Sequence, residues 1–483
     1  MRFYLLNPPF IKNFVRCGRW QGVAARGGTM YFPIWLSYAT ALLEKEGHTV
    51  RLIDAIARKW NQDDVANDVQ KFQPDFIVVD TNFSSLTNDI NVANLLKATT
   101  GATTIIVGPP ASQFTEEILT QGIDIVARFE YDFTLRELGS RESDRNNLAS
   151  IKGISYIKNG KIFHNPAREF STQQDLDEIP FVSKVYKNHL NIRDYFLNHA
   201  FYPMVQIITS RGCPNQCTFC SWPETLTGRK YRMRSVDNIV AEFEYILKEL
   251  PEVKEIFIED DCFTINKSHV MEFCKKIKEK RIKANWGCQA RATLDYETMV
   301  AMKEAGCRLL DVGYESGSEE ILKNIKKCVT VDQLREFTKN AKRAKLKILA
   351  DFVIGFLGET KETIKQTNDL IKEIKPDLLQ VAIATPMPGT EFYREAKEGK
   401  FILKEKMEDS IDQYGFQRCI ISYPELTPDL IEESVKSILK SYYFTPDYVC
   451  RSVRNSLNSN FLYEASLLTR SSFQFLHFLR GSK

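Results

Sequence analysis

The chain has 483 residues, 43% of them hydrophobic and 26% charged, which exceeds one ordinary core and predicts a soluble protein of two or three domains. Its formal net charge of +3 is too small to imply a nucleic-acid partner. Eleven cysteines lie scattered, most of them singly in apolar stretches, which excludes a disulfide framework and fits a reducing compartment. The opening MRFYLLNPPF has no signal-peptide layout, and no apolar run is long enough to span a membrane, so the expected setting is cytoplasmic.

Residues 1–145 alternate short apolar runs with helical patterns. Strands are expected at 2–7, 49–54, 76–80, 104–107 and 123–126, with helices at 33–46, 61–71, 90–99 and 115–121. Such alternation predicts a doubly wound parallel sheet, which binds ligands at the carboxyl ends of its strands. Those ends carry Asn7-Pro8-Pro9, Asp54-Ala55, Thr81-Asn82-Phe83-Ser84-Ser85, Gly108-Pro109-Pro110-Ala111-Ser112 and Glu130. Plain connecting loops have the same composition, so the pattern alone leaves both readings open. No GxGxxG follows the first strand, which argues against a nicotinamide or flavin domain.

Residues 146–202 read as a connector. Asn159-Gly160 between two apolar runs predicts a hairpin of 154–158 and 161–164, and the acidic, Pro-ended 175–180 reads as a linker.

A second α/β domain is expected over 203–395. A strand at 205–209 leads into Arg211-Gly212-Cys213-Pro214-Asn215-Gln216-Cys217-Thr218-Phe219-Cys220. Iron–sulfur clusters are normally held by four thiolates. Three of them, spaced C-x3-C-x2-C, leave one iron open to a substrate. A structural zinc loop would need a fourth ligand, and no nearby His or Cys stands at the usual spacing. Further strands at 255–259, 284–289, 308–312, 347–354 and 378–384 alternate with six helical stretches, the pattern of a partial barrel with its site at the C-terminal face. The other cysteines read as small core residues or carry no assigned role.

The cysteine stretch, with Phe219 before its third cysteine, resembles the signature of the radical S-adenosylmethionine superfamily. The resemblance implies a 4Fe–4S cluster on Cys213, Cys217 and Cys220, whose open iron chelates S-adenosylmethionine and cleaves it to a 5′-deoxyadenosyl radical. It also implies an external one-electron reductant of flavodoxin or ferredoxin type. It places Phe219, Glu259, Asp260, Asp261, Arg291, Glu315, Ser316, Gly355, Gly358, Glu359 and Thr385 around S-adenosylmethionine. Of these, the acids at 259–261 face the methionine amino group and Arg291 its carboxylate. Glu315 and Ser316 face the ribose, and the 355–359 loop faces the adenine.

The front region resembles the cobalamin-binding domain of many such enzymes, through Asn7-Pro8-Pro9, Pro33-x-x-Leu36-x-Tyr38, Glu46-Gly47-His48, Asp54-Ala55 and Val107–Ser112. That resemblance implies cobalamin contacts from Asn7, Asp54, Asn82, Ser84, Ser85, Gly108, Pro109, Ala111 and Glu130. Pro110 and the Arg128–Tyr131 run depart from the family pattern. No Asp-x-His-x-x-Gly supplies a histidine beneath the cobalt. The pairing implies methylation of an unactivated carbon in a small-molecule or lipid-like substrate through methylcobalamin. Cyclisation, ring contraction or oxidation is the alternative, as is a non-enzymatic iron–sulfur or zinc protein. No catalytic side chain beyond the cofactor ligands is assigned.

Residues 396–483 are expected to form a helical cap. The aromatic segment 441–483 carries five cations against two anions, so it packs on the barrel or touches a membrane surface.

Overall fold

The computed structural model describes residues 1–16, 22–25, 27–140 and 148–457. The continuous apolar runs form the interior strands of two parallel sheets, where both faces of each strand are buried.

The front sheet contains seven strands: β1 (Arg2–Asn7), β4 (Thr49–Asp54), β5 (Phe76–Asp80), β6 (Thr103–Val107), β7 (Ile125–Ala127), β8 (Ile154–Lys158) and β9 (Lys161–His164). Their order is β4-β1-β5-β6-β7-β8-β9, with the first five parallel and the last two antiparallel. The hairpin placed by sequence in the connector is thus hydrogen-bonded into the front sheet, Ala127 opposite Ile154. A small ribbon of β2 (Phe14–Val15) and β3 (Val23–Ala24) lies in the long segment after β1.

Side chains alternate between the two faces of this sheet. Tyr4, Leu6, Ile77, Val79 and Ile106 form one core with α3 (Gln62–Phe72), α4 (Leu86–Thr100) and α6 (Thr115–Thr120). Phe3, Leu5, Val78 and Ile105 face α1 (Ile34–Lys45) and α7 (Asp132–Gly139) and join a core continuous with the second sheet. The two halves therefore share hydrophobic interior.

That second sheet is six parallel strands in chain order: β10 (Met204–Ile207), β13 (Glu255–Ile258), β14 (Trp286–Ala290), β15 (Cys307–Glu315), β16 (Lys347–Ile354) and β17 (Leu378–Ile383). The helices α10 (Val236–Glu249), α11 (Lys267–Glu279), α12 (Tyr296–Glu304), α14 (Val331–Arg343) and α15 (Lys361–Ile374) start on the capping side chains of Ser235, Asn266, Asp295, Thr330 and Thr360. Each such cap stabilises its helix start by about 1 kcal/mol.

An open barrel leaves two sheet edges with unpaired backbone groups, which would be a hazard if exposed. Here side chains close both. On β10, Tyr186 Oη donates to the Gln206 carbonyl. Just beyond that strand, Tyr38 Oη accepts from Ile208 N and donates to its carbonyl. On β17, Tyr443 Oη accepts from Leu379 N and donates to its carbonyl, while Gln417 does the same for Ile383.

Three differences from the sequence reading bear on the site and the cap. The Gly108–Ser112 stretch is the helix α5 (Pro109–Gln113), because proline at a first helical position needs no N–H partner. The linker reading at 175–180 gives way to α8 (Gln173–Glu178), started by a Thr172–Asp175 capping box and followed by α9 (Val182–His189). Among the described residues the cap is helical in α16 (Glu391–Glu398), α17 (Pro428–Tyr443) and α18 (Pro446–Leu457); between α16 and α17 the chain is irregular, apart from a 3-10 turn at Met407–Ser410 and the isolated bridges Ile402–Ile421 and Ile411–Gln417. Most of the basic aromatic tail lies outside the described residues. Among the described residues no helix is long and apolar enough to cross a membrane.

Candidate functional site: a cysteine loop facing a doubly wound sheet

The cysteine loop leaves β10 through the short ribbon β11 (Ser210–Arg211) and returns through β12 (Arg232–Met233). Four contacts anchor it within the barrel half. Gly212 N donates to Asp261 Oδ2 at 2.7 Å and Cys213 N to the Gly228 carbonyl at 3.3 Å. Thr218 N donates to the Ile325 carbonyl at 3.1 Å, and Phe392 N to the Thr218 carbonyl at 2.9 Å. Gly212 has φ +83° and a Cβ there would lie 2.1 Å from the Lys230 carbonyl oxygen, so only glycine fits. Cys217 is buried, Cys213 and Cys220 are half-buried, and none of the three is in a disulfide. Among the described residues no three candidate ligands stand as a preassembled metal centre. The fit to a cluster therefore rests on the donor chemistry: three soft thiols on one anchored loop at a strand end.

The residues expected around S-adenosylmethionine divide into braces and facing groups. Asp260 is fully buried and accepts from Thr209 N, Thr209 Oγ1 and Ser210 Oγ, each at 2.6 Å. Asp261 accepts from Gly212 N, and Glu259 accepts from Gln206 Nε2 at 2.8 Å. These three acids hold the entry to the cysteine loop. Arg291 donates to the Lys327 carbonyl.

Glu315 sits at the end of β15 with φ +62° and pairs with the buried Lys327, Nζ to Oε1 2.6 Å. Burial pushes the Lys327 ammonium down, but Glu315 and the nearby Cys217 together hold it above its ordinary range. Sequence reading missed Lys327; its only local signal is the Lys326-Lys327 pair. Ser316 Oγ bonds Thr367 Oγ1. In the loop after β16, Glu359 Oε2 accepts from Gly355 N at 2.5 Å, and burial pushes its carboxyl up to about 8. Gly355 and Gly358 take φ +108° and +81° there. Thr385 accepts from Gln417 Nε2 at 3.0 Å, and the Phe219 ring lies 5.0 Å from that of Phe356. Glu315 Oε2 and Glu359 Oε1 are buried with no hydrogen-bond partner, as expected of groups reserved for a polar ligand.

At the front-sheet strand ends, Asn7 Nδ2 donates to Asp54 Oδ1 at 2.9 Å. The buried Arg16 guanidinium grips Asp89 by two bonds, Nε–Oδ2 3.0 Å and Nη2–Oδ1 2.7 Å, and donates to Asn7 Oδ1 and Ser85 Oγ. Asn82 and Ser84 bond the backbone of Gly22. Burial pushes Asp54 up to about 6 and Asp80 up to about 7. Hence Asn7, Asp54, Asn82, Ser84 and Ser85 are engaged by the chain's own segment after β1 and by its neighbours. Gly108 has φ +102° and a Cβ there would lie 2.4 Å from the Thr81 carbonyl oxygen. Pro109 and Ala111 are buried beside it, and Glu130 accepts from Ser171 N.

The two halves meet where Ser112 Oγ donates to the Thr225 carbonyl at 2.9 Å and accepts from Phe129 N at 3.0 Å. Around this junction Trp35 Nε1 and Thr227 Oγ1 are buried with no hydrogen-bond partner, as are Arg211 Nε and Nη1, the latter 3.8 Å from Glu130 Oε2. A cobalamin periphery offers amide carbonyls and a phosphate, the acceptors such donors lack, so these residues fit it.

Two family models match the chain: the radical SAM superfamily over residues 207–371 and the B12 binding domain over residues 20–139. An uncharacterized methyltransferase of Pyrococcus horikoshii is 30% identical over 430 residues, which cover 88% of this chain and 91% of that protein. The anaerobic magnesium-protoporphyrin IX monomethyl ester cyclase of Cereibacter sphaeroides is 24% identical, over 85% of this chain and 67% of its own. The fold is similar to that of the radical S-adenosylmethionine methyltransferase TsrM from Kitasatospora setae, with TM-score 0.72, 15% identity and coverage of 92% of this chain and 89% of that one. It is also similar to that of the cobalamin-dependent radical enzyme OxsB, with TM-score 0.71, 17% identity and coverage of 98% and 72%. The sequence match along nearly the full length of both chains, joined to both family models, settles the assignment: this chain belongs to the cobalamin-dependent radical S-adenosylmethionine enzymes.

Proposed function

We propose that the protein transfers a methyl group to an unactivated carbon of a small organic molecule. The observation that carries this reading is the Ser112 bridge, because one hydroxyl ties the segment expected at cobalamin to the Thr225 carbonyl just past the cysteine loop. Both cofactor faces then look onto one junction between the halves, a common place for a ligand cavity. When bound, the cluster supplies the electron that cleaves S-adenosylmethionine, and cobalamin supplies the methyl carrier.

The chain's own contribution is orientation and exclusion of water. Asp260 and Asp261 fix the loop entry. Lys327 and Glu315 hold a charged pair beside Cys217, and the Gly355–Glu359 loop presents backbone toward the same strand ends. The segment at 407–420 closes over the front sheet. There Glu408 accepts from Thr87 Oγ1 at 2.6 Å, and Met407 and Ile420 pack with Phe83 and Met387. An acidic one-electron carrier of flavodoxin or ferredoxin type would deliver the electron.

Anaerobic protein loaded with cluster and cobalamin, given reductant and methyl-labelled S-adenosylmethionine, tests this. Label entering the corrinoid with release of S-adenosylhomocysteine supports methyl transfer. A second reading, radical cyclisation or oxidation, draws on the cyclase relative that covers 85% of this chain. It gives 5′-deoxyadenosine without S-adenosylhomocysteine.

A further inference from the structure

The ribbon that frames the cysteine loop has an unusual pair. Arg211 on β11 and Arg232 on β12 stand directly opposite each other in the antiparallel ladder. Like charges so placed repel, and a buried charge needs a partner. Both guanidinium groups are buried, at 1% and 4% side-chain exposure.

Their counter-charges come from outside the barrel. Asp132 Oδ2 lies 2.6 Å from Arg211 Nη2, and Glu130 Oε1 lies 2.7 Å from Arg232 Nη1, with Glu130 Oε2 3.8 Å from Arg211 Nη1. Glu130 and Asp132 belong to one front-domain segment following β7. The indole of Trp35, on front-domain helix α1, stacks under Arg211 with its ring centre 4.5 Å from the guanidinium carbon. Arg211 is followed by Gly212-Cys213, and Arg232 ends the return path from Gly228, which accepts from Cys213 N. The same front-domain segment includes Phe129, whose N–H donates to Ser112 in the loop assigned to cobalamin. The barrel alone would leave two facing buried cations at the mouth of the loop.

We propose that Arg211 and Arg232 are positioning residues: paired with Asp132 and Glu130, they make the shape of the cluster-binding loop conditional on the docked front domain. The barrel does not set the loop by itself; the cobalamin-side domain completes it. This rests on the assignment of the cluster to Cys213, Cys217 and Cys220.

The test uses full-length protein reconstituted with iron and sulfide, as wild type, Asp132→Asn, Glu130→Gln and Arg211→Lys. Two readouts are the line shape of the reduced cluster by electron paramagnetic resonance and the rate of iron release to a chelator. Partners behind metal ligands typically change metal affinity about 10- to 100-fold. Asp132→Asn is therefore expected to release iron at least about tenfold faster and to show an altered line shape, with an unchanged circular dichroism spectrum. Should Asp132→Asn fail to fold, Arg211→Lys carries the test, because it keeps the charge and loses only the planar fork. Folded variants with a lowered melting temperature but wild-type line shape and iron release would make the pairs structural only and overturn the proposal. A wild-type protein that takes up no 4Fe–4S cluster would instead strike the assignment of the cysteines.

Discussion

Lys327 Nζ lies 2.6 Å from Glu315 Oε1, and both side chains are buried beside the cysteine loop. The pair joins the end of β15 to the turn after α13 (Glu319–Asn324), whose Ile325 carbonyl anchors Thr218. A charge in this position sets the local field that the cluster and its ligand will meet.

Removing one partner leaves the other charged and unpaired. Lys327→Met is expected to lower stability by about 3–5 kcal/mol, read by denaturant unfolding. Adding Glu315→Gln should recover much of that loss, because both charges are then gone. A single variant as stable as wild type would contradict the pairing.

Glu359 gives a pH dependence whose sign is fixed. Burial raises its carboxyl from the ordinary 4.5 to about 8 in the folded chain. Below pH 4.5 both folded and unfolded chains hold the proton, and its stabilising contribution is fully present. Between 4.5 and about 8 only the folded chain holds it, so stability falls as pH rises, by at most about 1.4 kcal/mol per unit. Glu359→Gln should flatten the melting temperature across pH 5 to 8 relative to wild type. Equal slopes in the two proteins would show that Glu359 does not cause the decline.

Tyr443 closes the β17 edge through one hydroxyl that both accepts from Leu379 N and donates to its carbonyl, at 2.9 and 2.7 Å. Tyr443→Phe leaves both backbone groups unpaired and should cost about 1–3 kcal/mol. Thermal unfolding should also show more aggregation, since the edge is then free to pair.

Gly108 holds φ +102° against the Thr81 carbonyl. Gly108→Ala should destabilise the front domain by more than about 1 kcal/mol, because the native angle and the close approach both exclude a Cβ. Corrinoid uptake, followed by absorbance, should fall with it.

Much of the fold was legible because parallel strands read as unbroken apolar runs; residues 76–79 are such a run, and with Asp80 every residue of that strand is buried. The Asn159-Gly160 turn likewise announced its hairpin, but not that β8 pairs with β7, which depends on residues far along the chain. Helix α5 hid behind two prolines, and the irregular stretch between α16 and α17 has no periodicity to read. At the site, the three cysteines were legible because their chemistry lies in local spacing. For Asp260 the sequence shows a carboxylate at a strand end but not which way it turns. Its carboxylate turns back onto Thr209 and Ser210. Arg16 and Lys327 carried no local signal of their partners: Arg16 finds Asp89 73 positions away, and Lys327 finds Glu315 across an intervening helix.

The most direct measurement is nucleoside analysis of anaerobic, cluster-reconstituted protein incubated with S-adenosylmethionine and a strong one-electron reductant. Wild type should form 5′-deoxyadenosine, and Cys213→Ser, Cys217→Ser and Cys220→Ser should each abolish it together with the cluster absorbance. Wild-type protein that carries a full cluster yet releases neither 5′-deoxyadenosine nor S-adenosylhomocysteine would contradict the assignment.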